Sequence, residues 1–127
     1  MAAITVTNAG LNLMRDSMNG NNSLKITYVA IGSSTTAPAV TDTKLGNETF
    51  RKKIVNWTNG ASVGEALVNG YLNSNDAVGL NLQEVGFFAG NTATATVNSG
   101  ILVAHGLFAH GTKLSSEGIQ LTFDLTF

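Results

Sequence analysis

The sequence predicts an α+β fold, an N-terminal helix packed on a mainly antiparallel β-sandwich of about six strands. Three observations carry that expectation. Helical spacing of apolar residues marks one stretch near the start. Short runs rich in β-branched and aromatic residues then follow one another, separated by clusters of Asn, Ser, Asp and Gly. Finally, Ile119 to Phe127 alternates strictly, with apolar residues at every odd position and polar ones at every even position. Strands in succession without intervening helices favour antiparallel pairing in two layers. At 127 residues the chain is one domain long, residues 1–127, with no internal repeat and no dividing linker.

Thr7 or Asn8 can cap the first element, because a short oxygen-bearing side chain satisfies the open N–H groups of a helix start. Leu11, Met14 and Met18 would form its apolar stripe, and Gly20 can close it in the left-handed conformation. Leu24 to Ile31 reads as a strand that begins by alternating and ends apolar on both faces. The Gly/Ser/Thr segment 32–41 is a loop holding the only proline, Pro38, and residues 41–45 could form one helical turn. Phe50 to Trp57 is the next strand, ending at Thr58-Asn59-Gly60. Val63 to Leu72 follows, with Glu65 and Asn69 opposite Ala66, Val68 and Leu72. Leu80 to Phe88 and Ile101 to Phe108 flank a tract of small residues, 89–99, which reads as a loop. The C-terminal alternation ties the end of the chain into a sheet, with Ile119, Leu121, Phe123, Leu125 and Phe127 expected to face the core. That favours a complete domain.

Charged residues make up 12% of the chain, about half the usual share, while Asn, Ser and Thr number 14, 9 and 15. A surface of neutral hydrogen-bonding groups repels other chains weakly and suits a protein packed among copies or partners. A net charge of −1 gives no basis for a nucleic-acid partner, and Arg51-Lys52-Lys53 is too short for a phosphate track. No cysteine is present, so thiolate chemistry and disulfides are excluded. No signal-peptide pattern opens the chain and no apolar run reaches membrane-spanning length, so no membrane partner is expected.

His105 lies in an apolar strand, where a hydrogen-bonded core histidine is the ordinary reading. Five residues from His110, it would point to the opposite face, so the pair does not define a metal site. Glu84 lies between apolar neighbours and, if buried, needs a cation or backbone amides beside it. No nucleophile elbow, phosphate loop or dinucleotide fingerprint occurs. The sequence therefore predicts no catalytic residue, no cofactor and no metal. Phe87 and Phe88 are adjacent on a strand and point to opposite faces, so one meets a second core layer or remains for a partner. Arg51 and Lys53 share a strand face. With Phe127, these four form the candidate interface: Arg51, Lys53, Phe87, Phe88 and Phe127.

Several segments resemble the bacteriophage tail-fibre and tail-collar proteins. Gln83-Glu-Val-Gly-Phe-Phe-Ala-Gly, followed by a small-residue tract and Ser99-Gly-Ile-Leu-Val-Ala-His-Gly-Leu-Phe, is similar to a strand–turn–strand segment of that family. The opening Ile4-Thr-Val-Thr-Asn-Ala-Gly-Leu-Asn-Leu-Met resembles its Thr-x-x-Gly start and short amphipathic helix. Lys25-Ile-Thr-Tyr-Val-Ala-Ile-Gly resembles its next strand. Thr35-Thr-Ala-Pro-Ala-Val-Thr-Asp-Thr-Lys-Leu-Gly-Asn-Glu, leading to Phe50-Arg-Lys-Lys-Ile, resembles the loop and basic strand after it.

The resemblance implies a non-enzymatic virion protein of an N-terminal attachment type, in the tail, baseplate or fibre-attachment collar. It implies packing against other virion proteins and against copies of itself as a trimer, with synthesis in the bacterial host cytoplasm. In many such proteins this domain begins a longer fibre; here the polypeptide stops after it, which favours a connector over a receptor binder. Alternatives are a capsid decoration or head-fibre anchor, and a small carbohydrate-binding β-domain using Trp57, Tyr28 and Tyr71.

Overall fold

In the computed structural model, which describes residues 4–127, the chain runs through eight strands and one helix. They are β1 (Ile4–Val6), α1 (Asn8–Met18), β2 (Ile26–Gly32), β3 (Glu48–Lys53), β4 (Asn56–Asn59), β5 (Glu65–Leu72), β6 (Asn81–Ala89), β7 (Ile101–Thr112) and β8 (Ile119–Thr126). All pairings are antiparallel. A five-stranded sheet has the order β1-β7-β6-β2-β3, and a three-stranded sheet has the order β4-β5-β8. The two sheets face each other across a core of Val29, Ile31, Val68, Leu72, Val85, Phe87, Leu121 and Phe123, with the Phe87 and Phe123 rings stacked at 5.3 Å.

The mainly antiparallel β architecture with one helix is as the sequence predicts, but the strands number eight rather than about six. Two short ones were not legible. β1 has three residues, too few to show a period, and the predicted strand from Phe50 to Trp57 breaks at Ile54 and Val55 into β3 and β4. Residues 41–45 form no helical turn: the chain turns at Val40 and Thr41, where Asp42 N–H donates to the Ala39 carbonyl and the Asp42 side chain accepts from Ala39 N–H, and then only bends at Thr43 and Lys44.

Thr7 caps α1: its Oγ1 accepts from Gly10 N–H at 2.9 Å and also donates to the Leu102 carbonyl, tying the helix start to β7. Gly20, with φ of 77°, ends the helical segment as expected. The buried face is a correction. Leu11 and Met18 are exposed, Met18 at 89%, and the residues facing the core are Gly10 and Leu13, with Met14 partly buried. A Cβ at Gly10 would lie 2.7 Å from the Val103 carbonyl oxygen. The missing side chain lets the helix axis lie against β7, and glycine leaves no hydrophobic signal to read.

A second correction concerns the chain end. Leu121 and Phe123 are buried and Ile119 and Leu125 partly so, but Phe127 is 70% exposed. Its N–H donates to the Gly64 carbonyl at 3.0 Å, so the backbone stays in register while the ring overhangs the end of the core.

Candidate functional site

The outer face of the five-stranded sheet carries the polar side chains that the core excludes. On β6, Leu82, Val85, Phe87 and Ala89 belong to the core between the sheets, whereas Glu84 and Phe88 lie under loops on the far side. Two loops cover that side, residues 33–47 and residues 90–100, and each is held by a buried charge.

Glu84 holds the first. Its carboxylate has no exposed surface and accepts from Ser34 N–H (3.1 Å), Gly46 N–H (2.9 Å) and Asn47 N–H (2.8 Å). Its Oε1 also lies 2.8 Å from His105 Nε2, and His105 Nδ1 lies 2.8 Å from Asp42 Oδ2. The same Asp42 oxygen accepts from Ala39 N–H. One connected path therefore joins both halves of the loop through the histidine. Gly32 makes room for this cluster, since a Cβ there would fall 2.3 Å from Glu84 Oε2.

Burial is the strongest influence on the Asp42 carboxyl and favours its neutral form. The Ala39 N–H and the His105 ring together outweigh it and hold Asp42 below the ordinary aspartate value. A cleft of about 300 Å³ lined by Thr36, Asp42, Lys44 and His105 opens beside it. Asp42 is the most open of the three groups to that cleft, with 27% of its side chain exposed against 4% for His105; the Glu84 carboxylate is occupied by three amides and a ring. The geometry is that of a brace.

Arg51 holds the second loop. Its guanidinium pairs with Glu48 through Nε to Oε2 (2.7 Å) and Nη2 to Oε1 (2.9 Å), while Nη1 donates to the Thr94 and Ser99 carbonyls and to Ser99 Oγ. Glu48 Oε1 in turn accepts from Asn98 N–H. The guanidinium sits 4.4 Å from the Phe88 ring centroid and 5.5 Å from that of Tyr28. Planar, multidentate and stacked on aromatics, this is a site where arginine is not replaceable by lysine.

A third buried charge, Lys113, donates to the carbonyls of Asn73 and Leu114, both at 3.0 Å. It pins the turn after β5. Asp76 in that turn pairs with Lys52, which lowers its pKa.

The candidate interface residues separate accordingly. The Arg51 side chain is 2% exposed, so it forms no surface patch with Lys53, which is exposed. Phe87 and Phe88 are both fully buried: Phe87 in the core, Phe88 with Ala30, Leu45 and Leu102 in a second layer under the loops. Lys53 and Phe127 are the two that remain at the surface. His105 and His110 do not meet, since His110 pairs with Glu117 at an exposed turn. No cluster of three or more metal-ligating side chains occurs among the described residues. The sequence marks Glu84 and His105 but not their link to Asp42 or the burial of Lys113, which depend on partners far along the chain. Arg51 and Glu48 are only three residues apart, and what the sequence does not mark is the loop of residues 90–100 that buries them.

Phe127 borders an apolar cleft of about 270 Å³ formed with Leu24, Ile26, Trp57, Phe123 and Leu125. Trp57 closes one wall, donating from Nε1 to the Ile26 carbonyl with the Lys25 ammonium over its ring. Among the described residues, no helix is long and apolar enough to cross a membrane. No family model and no curated protein matches this chain.

Proposed function

We propose that this chain is a bacteriophage virion structural protein of the tail, baseplate or fibre-attachment region, acting by packing against other virion proteins and copies of itself. The observation that carries the reading is the ordered resemblance of four segments to the tail-fibre and collar proteins. The residues of its most informative segment lie on the adjacent strands β6 and β7, at the centre of the larger sheet. The internal charges support a scaffold role. Glu84, Arg51 and Lys113 are all engaged in fixing loops, which gives firm outer surfaces on a protein with few charges.

The carbohydrate-binding alternative needs a row of exposed aromatics. Trp57 and Tyr71 line different clefts, and Tyr28 lies beneath Arg51, so they form no such row. The deciding experiment is a whole-particle reconstruction with the chain's density assigned. Copies in the tail or its attachment region are expected. Particles that lack the protein, or carry it only on the capsid surface, overturn the reading.

A further inference from the structure

Sheet edges expose unpaired N–H and C=O groups, and proteins guard them with short strands, lysines, prolines or bulges. Among the described residues, three of the four edges are guarded. β1 has three residues and β4 has four. β3 carries Arg51, Lys52 and Lys53, and its register against β2 shifts at Ile31/Gly32. β8 differs. It has eight residues, pairs with β5 in unbroken register, and contains no Lys, Arg or Pro.

The ladder shows which groups β8 leaves open. Phe127 N–H donates to Gly64 C=O, so the odd residues of β8 exchange hydrogen bonds with β5. Glu65 C=O accepts instead from Gly60 N–H, on the β4 side, which confirms the parity. The backbone groups of Gln120, Thr122, Asp124 and Thr126 therefore point to the free edge. Beside that edge, Phe108, Ile119 and Leu121 line an open cleft of about 370 Å³.

We infer that β8 pairs antiparallel with β8 of a second copy about a twofold axis at Phe123, joining the two three-stranded sheets into one. The segment from Ile119 to Phe127 is centred on Phe123, so this register uses its full length. It sets the outward-pointing residues opposite one another, Gln120 against Thr126 and Thr122 against Asp124. Shifting the axis to Asp124 would place two carboxylates directly opposite, which is unfavourable. On the inner face, the overhanging ring of Phe127 lands opposite Ile119 of the other copy, beside the Phe108 cleft. The exposed aromatic and the open cleft thus cover each other twice, once at each end of the joint. Self-association is then twofold, in place of the trimer that the resemblance implies.

This names one partner within the assembly reading, and it is tested on purified protein without a particle, so the two can fail separately. Sedimentation equilibrium of the full chain at about 100 µM, a concentration at which even a weak micromolar dimer is populated, should give twice the 13.2 kDa chain mass. Phe127→Asp and Gln120→Pro should each return the single-chain mass with an unchanged circular dichroism spectrum. The first puts a charge into the apolar cleft; the second removes an edge N–H that β5 does not use. Hydrogen exchange on the unaltered chain covers the case of a variant that misfolds: the amides of residues 120, 122, 124 and 126 should slow at least tenfold from dilute to concentrated protein. A monomer or trimer mass, a dimer that survives both substitutions, or edge amides that exchange equally fast at both concentrations overturns the pairing.

Discussion

Arg51 decides the order of the loop above it. Its partner Glu48 has no exposed side-chain surface, so removing the guanidinium leaves a buried carboxylate uncompensated. Breaking such a pair from one side costs about 3–5 kcal/mol. Arg51→Met should lower the denaturant midpoint accordingly and open residues 90–100 to limited proteolysis, and Arg51→Lys should recover only part of the loss. At Asp42 the readout is acid stability. Its carboxyl is held below the ordinary aspartate value in the folded chain. A depressed folded value adds stability above the unfolded value, about 3.9, and that stability is lost as pH falls through the folded one. Asp42→Asn should therefore be less stable than the natural chain at pH 7, and its urea midpoint should fall less steeply from pH 5 to pH 2. Asp76 and Glu117, also lowered, remain in both proteins and give the slope common to them.

Elements differ in how openly the sequence announces them. α1 shows its capping residue, yet its buried face is set by Gly10, whose contribution is the absence of a side chain. Gly10→Ala tests this. Alanine favours a helix by up to about 1 kcal/mol, but a Cβ 2.7 Å from the Val103 carbonyl pushes the helix off β7, at a typical overpacking cost of about 1–3 kcal/mol. Thermal melts should show Gly10→Ala destabilised and Asn12→Ala, on the exposed face, unchanged or slightly stabilised. β8 was legible through its alternation as far as Leu125. Periodicity gave Phe127 the same face but could not say that its ring stays 70% exposed at the rim of the cleft it shares with Leu24, Ile26 and Trp57. The site was half legible for a similar reason. A carboxylate among apolar residues, as at Glu84, advertises that it needs partners, whereas Ser34, Gly46 and Asn47 supply backbone amides that no side-chain pattern marks.

Across the whole molecule, pairing is long-range: β1 joins β7 about a hundred residues on, and β5 joins β8 across the full hairpin sequence of the larger sheet. Loop-closure entropy must be met before such contacts form, which places folding in the millisecond-to-second range. Stopped-flow refolding followed by Trp57 fluorescence should show its main phase there; a microsecond phase carrying the full amplitude would contradict it. The 90–100 loop has a consequence of another kind. Arg51 and Glu48 grip it at the Thr94 and Ser99 carbonyls and the Asn98 amide, groups that every residue but proline possesses, and Ser99 Oγ is the one side-chain handle. The fold thus recognises the course of this segment far more than its spelling. Related chains are free to rewrite Thr92, Ala95 and Val97 while the frame stays fixed, which makes this stretch a natural cassette for diversification and for grafting foreign peptides.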